Sequence, residues 1–214
     1  MNIGFDIDSV LLLFEPFFRR FHNEKYGTNL ITDDLKDYNL SIILGVSQKI
    51  VSQRVFEFYN SHQFDEMTPV KGSKEVIYRL KEYGHKLHIL TARPHEINEK
   101  TKDQIEKHYG IIFDSYNYFP STNHNGDTKA FYCYTNGIDV LIEDNWDEAQ
   151  RCCKLGIQSI IFNPLWNEGK KSLLRGRIVN NWSLAEEKLE EISKGKIYLP
   201  KFNENFSKEF TFQY

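Results

Sequence analysis

The chain is 214 residues long, 40% hydrophobic and 27% charged, with 27 Lys plus Arg against 30 Asp plus Glu and a net charge of -3 at pH 7. A chain of this size and mixture can bury a sizeable core, which excludes collagen-like, low-complexity and wholly disordered proteins. The charge balance excludes a global basic field of the kind that holds duplex nucleic acid.

The first predicted element is a short buried strand over residues 2–7, ending in Asp6-Ile7-Asp8. The N-terminus lacks the basic flank and long apolar stretch of a signal peptide. The apolar run over residues 10–14 is far shorter than the roughly 20 residues that span a bilayer. A reducing, cytoplasmic setting without a membrane is therefore expected. Cys133, Cys152 and Cys153 form neither a disulfide framework nor a zinc pattern and read as small buried hydrophobes. The seven histidines show no metal-ligand spacing.

From about residue 14 to 68 the pattern is helical. Phe14, Phe17, Phe18 and Phe21 recur at helical spacing, as do Ile50, Val51, Val55, Phe56 and Tyr59. Thr32-Asp33-Asp34 offers an N-cap between them, and a loop is expected over residues 37–44. Beyond Pro69, helices over 73–83, 97–108, 127–136 and 146–155 alternate with strands over 86–90, 113–119, 139–142 and 158–162. Such alternation predicts parallel βαβ units, an α/β fold with a Rossmann-like parallel sheet and helices on both faces. The expected division is a core over 1–13 and 69–195, a small inserted helical cap over 14–68, and an aromatic-rich tail over 196–214. In the tail, Tyr198, Phe202, Phe206 and Phe210 repeat every four residues. That face is expected to dock on its own domain, with a homodimer contact as the alternative.

In open parallel sheets, ligands bind beyond the carboxyl ends of the strands. Those ends carry Asp6 and Asp8, then Thr91-Ala92-Arg93, then Glu143-Asp144 with Asp147 one helical turn on, while Lys129 opens the preceding helix. Acidic groups converging at one edge raise each other's pKa, and a hard divalent cation relieves the repulsion. Lys129 as a point charge and Thr91 as a hydroxyl donor then suit a phosphate, and an aspartate can serve as nucleophile. Asp-x-Asp alone is weak, since paired aspartates in loops are common; the specificity lies in the combination and its order. A nucleotide-sugar metal site built on the same Asp-x-Asp leaves Thr91, Lys129 and Glu143-Asp144 without roles.

Gly4-Phe5-Asp6-Ile7-Asp8-Ser9-Val10-Leu11, Ile89-Leu90-Thr91-Ala92-Arg93, Lys129 and Leu141-Ile142-Glu143-Asp144 resemble the four motifs of the haloacid dehalogenase superfamily. The helical insert, Asp144-Asn145-Trp146-Asp147-Glu148-Ala149 and Asn180-Asn181-Trp182 narrow the likeness to the 5′(3′)-deoxyribonucleotidases and their bacterial nucleotidase relatives, over roughly residues 1–192. The resemblance implies that Asp6 is the nucleophile and that Asp8 protonates the leaving oxygen and then activates water. It implies Mg²⁺ held by the Asp6 carboxylate, the Asp8 backbone carbonyl and Asp144, with Glu143 and Asp147 behind them. Thr91, Lys129 and the backbone around Ala92 would bind phosphate. Phe14, at the position of a base-contacting phenylalanine, and Phe18 would meet the base. Ser9 stands where glycine or threonine is usual, and Thr91-Ala92-Arg93 replaces the Thr-Ser-Pro of the mammalian enzymes. The expected activity is Mg²⁺-dependent hydrolysis of a small phosphate ester, a nucleoside monophosphate. Another phosphoester (a sugar phosphate or a nucleic-acid 3′-phosphate end) and a non-catalytic nucleotide-binding role are the alternatives.

Overall fold

The computed structural model describes residues 1–119, 128–162, 165–167, 169–170 and 175–195. Among them, six strands form one parallel sheet: β1 (Asn2–Phe5), β2 (Lys86–Thr91), β3 (Ser115–Tyr118), β4 (Val140–Glu143), β5 (Gln158–Phe162) and β6 (Gly176–Val179). The α-helices are α1 (Glu15–Tyr26), α2 (Leu40–Leu44), α3 (Gln48–Tyr59), α4 (His62–Asp65), α5 (Ser73–Glu82), α6 (Asn98–Tyr109), α7 (Lys129–Thr135), α8 (Trp146–Lys154) and α9 (Trp182–Ser193). The strand order is β3-β2-β1-β4-β5-β6. The chain builds outward from β1 to β3 and then returns to lay β4 on the other side of β1. That reversal opens the ligand-binding crevice of such sheets at the carboxyl ends of β1 and β4.

Alternation along the strands splits the interior in two. Ile3 and Phe5 of β1 and Val140 and Ile142 of β4 face a large core with residues of α5, α6 and α9. Leu90 and Leu141 face a smaller core with Ala130 and Cys133 of α7 and Cys152 of α8. Gly4 lies on that second face, where a Cβ would come within 2.6 Å of Leu90 Cδ1. Cys133 and Cys152 are buried and Cys153 is half-buried, as small hydrophobes should be.

Helices α1 to α4 pack as a unit between β1 and α5. Their interior is aromatic: Phe18 meets Phe14, Phe21 and Phe58, and Phe58 meets Phe64, at centroid distances of 5.2–6.4 Å. The chain enters and leaves this unit through paired backbone, Leu13 N–H donating to Thr68 and Val70 N–H to Leu11 at 2.9 and 2.8 Å.

Four local features differ from the expectations. β1 stops at Phe5, because the Ile7 carbonyl accepts from the N–H groups of Leu11 and Leu12 and turns the chain. Residues 40–44 form α2 rather than a loop, with the Asn39 side chain capping Ser41 N–H and Gly45 closing the helix at φ 61°. Thr32–Asp34 is an isolated 3₁₀ turn in which Asp34 accepts from Ile31 N–H. β6 and α9 had no counterpart in the sequence reading. The tail over 196–214 and Asp127, the expected start of the helix over 127–136, lie outside the described residues. No described helix is long and apolar enough to cross a membrane.

The insert carries a buried histidine with both ring nitrogens engaged. His22 Nδ1 lies 2.8 Å from the Thr28 hydroxyl, and Arg54 donates to Nε2 at 2.9 Å while stacking on Tyr26. An arginine donor at Nε2 requires the neutral ring with its proton on Nδ1. Burial, reinforced by the Arg54 charge, lowers the His22 pKa from 6.5 to about 4. The unfolded chain therefore binds a proton at His22 that the folded chain refuses between those values. This part of the stability is full above pH 6.5 and lost as pH falls toward 4. Urea midpoints measured from pH 7.5 to 4.5 should fall less steeply for His22→Gln than for the parent; parallel curves would refute the assignment.

Candidate active site

β1 delivers Asp6 to the crevice. Its backbone N–H donates to the Ile142 carbonyl at 2.9 Å, so the ladder to β4 continues one residue past the strand and holds Asp6 against it. β4 ends on Glu143, and Asp144 follows. Lys129, the first residue of α7, donates through Nζ to Asp6 Oδ1 at 2.5 Å and to both Glu143 oxygens at 3.0 and 3.3 Å. Two side chains secure the start of α7. The Thr128 hydroxyl accepts from Phe131 N–H at 3.1 Å, and Glu148 accepts from Ala130 N–H at 2.7 Å. These satisfy donors that a helix N-terminus leaves free.

One carboxylate oxygen each from Asp6, Glu143 and Asp144 lies within 4.8 Å of the others, and all three residues are buried. Burial raises the Asp6 pKa, with Lys129 opposing and Asp8 adding to the rise. Burial, followed by Asp6, pushes Asp144 well up. For Glu143, burial again dominates, with Lys129 opposing it. Burial works against the charge on Lys129, but Asp6 and Glu143 outweigh it and hold the ammonium firmly protonated. One ammonium cannot neutralise three buried carboxylates. The set is all oxygen and anionic in excess, which fits a hard divalent cation.

Thr91 closes β2 with a buried hydroxyl that accepts from Arg93 N–H at 3.2 Å, leaving its own proton to donate. Ala92, between the two buried residues, is exposed at the mouth. Asp8 is separate from the acidic trio. Both its oxygens pair with Arg93, at 3.0 Å from Nε and 2.6 Å from Nη2. Ser9 beyond it has φ 65°, alone among described non-glycine residues. This left-handed turn costs a side-chain-bearing residue about 1–2 kcal/mol, and it turns the chain back directly after Asp8.

Two expected placements differ. Asp147 is exposed on the first turn of α8, and its N–H donates to the Asn145 side chain at 2.9 Å. The carboxylate that turns inward is Glu148, one residue on, because the Asn145 cap fixes the rotation of α8. Phe18 is 1% exposed, covered by Phe14 and Phe58. It belongs to the interior of the insert, whereas Phe14, at the start of α1, is only half-buried.

The sequence reading missed three neighbours. Trp166 Nε1 and Asn167 Nδ2 donate to the Asp144 carbonyl at 3.2 and 2.6 Å, fixing the backbone of that residue from outside. Tyr38 meets Trp166 edge-on at 6.4 Å. Desolvation of its phenol, then the charges of Asp144 and Glu143, raise its pKa, so the hydroxyl keeps its proton beside the acidic trio. Tyr38 fell in the stretch expected to be a loop, and only its aromatic character marked it.

The model of the family described as 5′ nucleotidase, deoxy (pyrimidine), cytosolic type C protein matches residues 1–189. A putative nucleotidase of Oceanobacillus iheyensis is 20% identical over 178 residues, covering 82% of this chain and 93% of the relative. One from Bacillus cereus is 26% identical over 122 residues, covering 55% and 65%. Among solved structures, a predicted phosphatase from Clostridium acetobutylicum superposes with a TM-score of 0.65 at 16% identity, over 89% of this chain and 98% of that one. A putative phosphoglycolate phosphatase from Lactobacillus delbrueckii superposes at 0.63 with 19% identity, over 89% and 97%. At these identities the structures share the fold.

Proposed function

The chain belongs to the family of 5′ nucleotidases, deoxy (pyrimidine), cytosolic type C, and on that premise we propose that it is a Mg²⁺-dependent phosphomonoesterase acting on nucleoside monophosphates, deoxyribonucleoside monophosphates included. The observation that carries the reading is the buried Asp6 held by Lys129 beside Glu143 and Asp144. It joins a nucleophile, a phosphate-binding cation and a hard-metal donor set in one crevice.

Asp6 and Asp144 would hold Mg²⁺ together with the Asp8 backbone carbonyl, with Glu143 behind them. When bound, Mg²⁺ offsets the excess carboxylate charge and polarises a phosphoryl oxygen. Lys129 and the Thr91 hydroxyl grip the phosphoryl group, and the exposed backbone at Ala92 lines its rim. Asp6 attacks phosphorus, the bond to the leaving oxygen breaks, and Asp8 gives that oxygen its proton. Asp8 then takes a proton from water, which attacks the aspartyl-phosphate and releases phosphate and free Asp6. Residues 14–68 act as the cap that reads the rest of the substrate, over a core of 1–13 and 69–195.

The test is a phosphate-release screen over nucleoside 5′- and 3′-monophosphates and sugar phosphates. Turnover is expected on nucleoside monophosphates, lost in excess EDTA and restored by Mg²⁺. Ca²⁺, which takes more and looser ligands, should inhibit. Undiminished turnover after bound metal is stripped contradicts the metal, and sugar phosphates preferred throughout contradict the substrate.

Phe14 gives the sharper check on substrate. Stacking a base on one aromatic ring is worth about 1–3 kcal/mol, roughly ten- to a hundredfold in affinity. Phe14→Ala should raise KM for a nucleoside monophosphate by that factor while sparing p-nitrophenyl phosphate. Equal loss on both would mean that Phe14 only supports Phe18 and Phe58.

A further inference from the structure

Arg93 is fully buried, and a guanidinium is placed there only against strong compensation. Its donors are committed in two directions. Nε and Nη2 form a fork on the two Asp8 oxygens, and Nη1 donates to Gln104 Oε1 at 2.8 Å. Gln104 passes the connection on, its Nε2 donating to the Phe64 carbonyl at 2.6 Å. The guanidinium also faces the rings of Phe64 and Tyr59, at 4.7 and 5.9 Å. Lys100, one turn before Gln104 on α6, reinforces the same place. It donates to the Tyr59 carbonyl at 2.8 Å, pairs with Asp65 at 2.9 Å and lies 5.0 Å from the Phe64 ring centre. An unbroken polar path thus runs from the Asp8 carboxylate to the backbone of α4 in the insert.

We propose that Arg93 is a positioning residue that fixes the orientation of the Asp8 carboxylate for its proton transfers and ties that orientation to the seat of the insert at residues 59–65. The proposal rests on the acid–base role given to Asp8 above. A salt bridge serving stability alone would be met by one contact. Here both oxygens are taken by two nitrogens of one guanidinium, which opposes rotation of the carboxylate, and the far side of the guanidinium is held by Gln104 of α6 and faced by the Tyr59 and Phe64 rings of the insert. Lysine supplies the charge but has no planar fork, so it cannot fix the plane. Arg93 itself touches no reacting atom; it acts through Asp8.

The leaving group separates this role from a structural one. A sugar alkoxide cannot depart without a proton, which Asp8 supplies as the P–O bond breaks. A p-nitrophenolate ion departs without one. In single-turnover measurements of phosphoryl transfer to the enzyme, Arg93→Met should slow a nucleoside monophosphate about a hundredfold, the lower range for general acid catalysis. Transfer from p-nitrophenyl phosphate should change by less than about threefold. The later hydrolysis still needs Asp8 as base, so that substrate should now show a burst of p-nitrophenolate.

Arg93→Lys should recover little of the lost rate. Gln104→Leu, which loosens the far side of the guanidinium but leaves the fork, should slow only the nucleotide, by about three- to tenfold. Should Arg93→Met not fold, the Lys and Gln104 variants carry the same ratio. Equal losses on both substrates, or none on either, overturn the proposal. A parent protein inactive on both overturns instead the phosphatase reading on which it rests.

Discussion

Asp6→Asn is expected to remove phosphatase turnover while leaving the protein as stable as before or more so. The amide cannot form an aspartyl-phosphate, and loss of a nucleophile acts on a scale of about 10⁴-fold or more in kcat. The stability sign follows from the electrostatics of the site. Burial, with Asp8 adding to it, raises the Asp6 pKa even against Lys129. The folded protein therefore favours a neutral side chain at this position relative to the unfolded chain, and asparagine supplies one of nearly the same shape. Lys129 keeps Glu143 as a partner at 3.0 Å. Thermal melts in metal-free buffer together with a phosphate-release assay check both halves. Full turnover by the purified variant would sink the mechanism, and a clear drop in melting temperature would show that the Asp6–Lys129 pair is a net stabiliser.

Lys129→Met should act in the opposite direction on stability. It removes the ammonium that faces Asp6 and Glu143 and leaves three buried carboxylates without a cation. Breaking a buried pair from one side costs about 3–5 kcal/mol, or roughly 6–20 °C in melting temperature for a domain of this size. All three carboxylates have raised pKa values in the folded protein. Lowering the pH should therefore restore part of the loss as they take up protons, and added Mg²⁺ should restore part of it by supplying charge. Turnover should also fall, since the phosphoryl group loses its lysine. A melt within about one degree of the parent at pH 7 in metal-free buffer would show that the carboxylates are already protonated or solvated.

The features that proved legible in the sequence were those written in neighbouring residues. Strands β1, β2 and β4 are apolar runs that end at or just before polar residues, Asp6, Thr91 and Glu143, at the carboxyl edge of the sheet. Helices α5, α6 and α8 carry apolar stripes and close near Gly84, Gly110 and Gly156. The illegible features depend on distant partners or on rotation. Thr91-Ala92-Arg93 stood out, but the use of Arg93 depends on Asp8, 85 positions away, and on Gln104. Whether Asp147 or Glu148 turns inward depends on the rotation of α8. β6 is four residues long with two only half buried, too short and mixed to declare itself. For α9 the signal was present: Trp182, Ala185 and Leu189 share one stripe, and the Asn181 side chain caps Leu184 N–H at 2.9 Å. A stripe that narrow, among glutamates and lysines, is easily read as surface.

The position of β1 in the sheet sets a condition on how the site comes into being. Its two neighbours arrive at very different times as the chain is made: β2 about eighty residues later, β4 about fifty after that. Until β4 is in place, one edge of β1 stays unpaired, the N–H of Asp6 has no Ile142 carbonyl to meet, and neither Lys129 nor Asp144 exists beside it. The N-terminal portion holding β1, the insert, β2 and β3 is therefore a scaffold that carries Asp6 without Lys129, Glu143 or Asp144 beside it. Competence arises in one late, long-range closure, which by its sequence separation is the slow kind of folding step. Activity regained during refolding thus reports β4 docking, and a nascent chain stalled before residue 140 has no means of hydrolysing a phosphate ester.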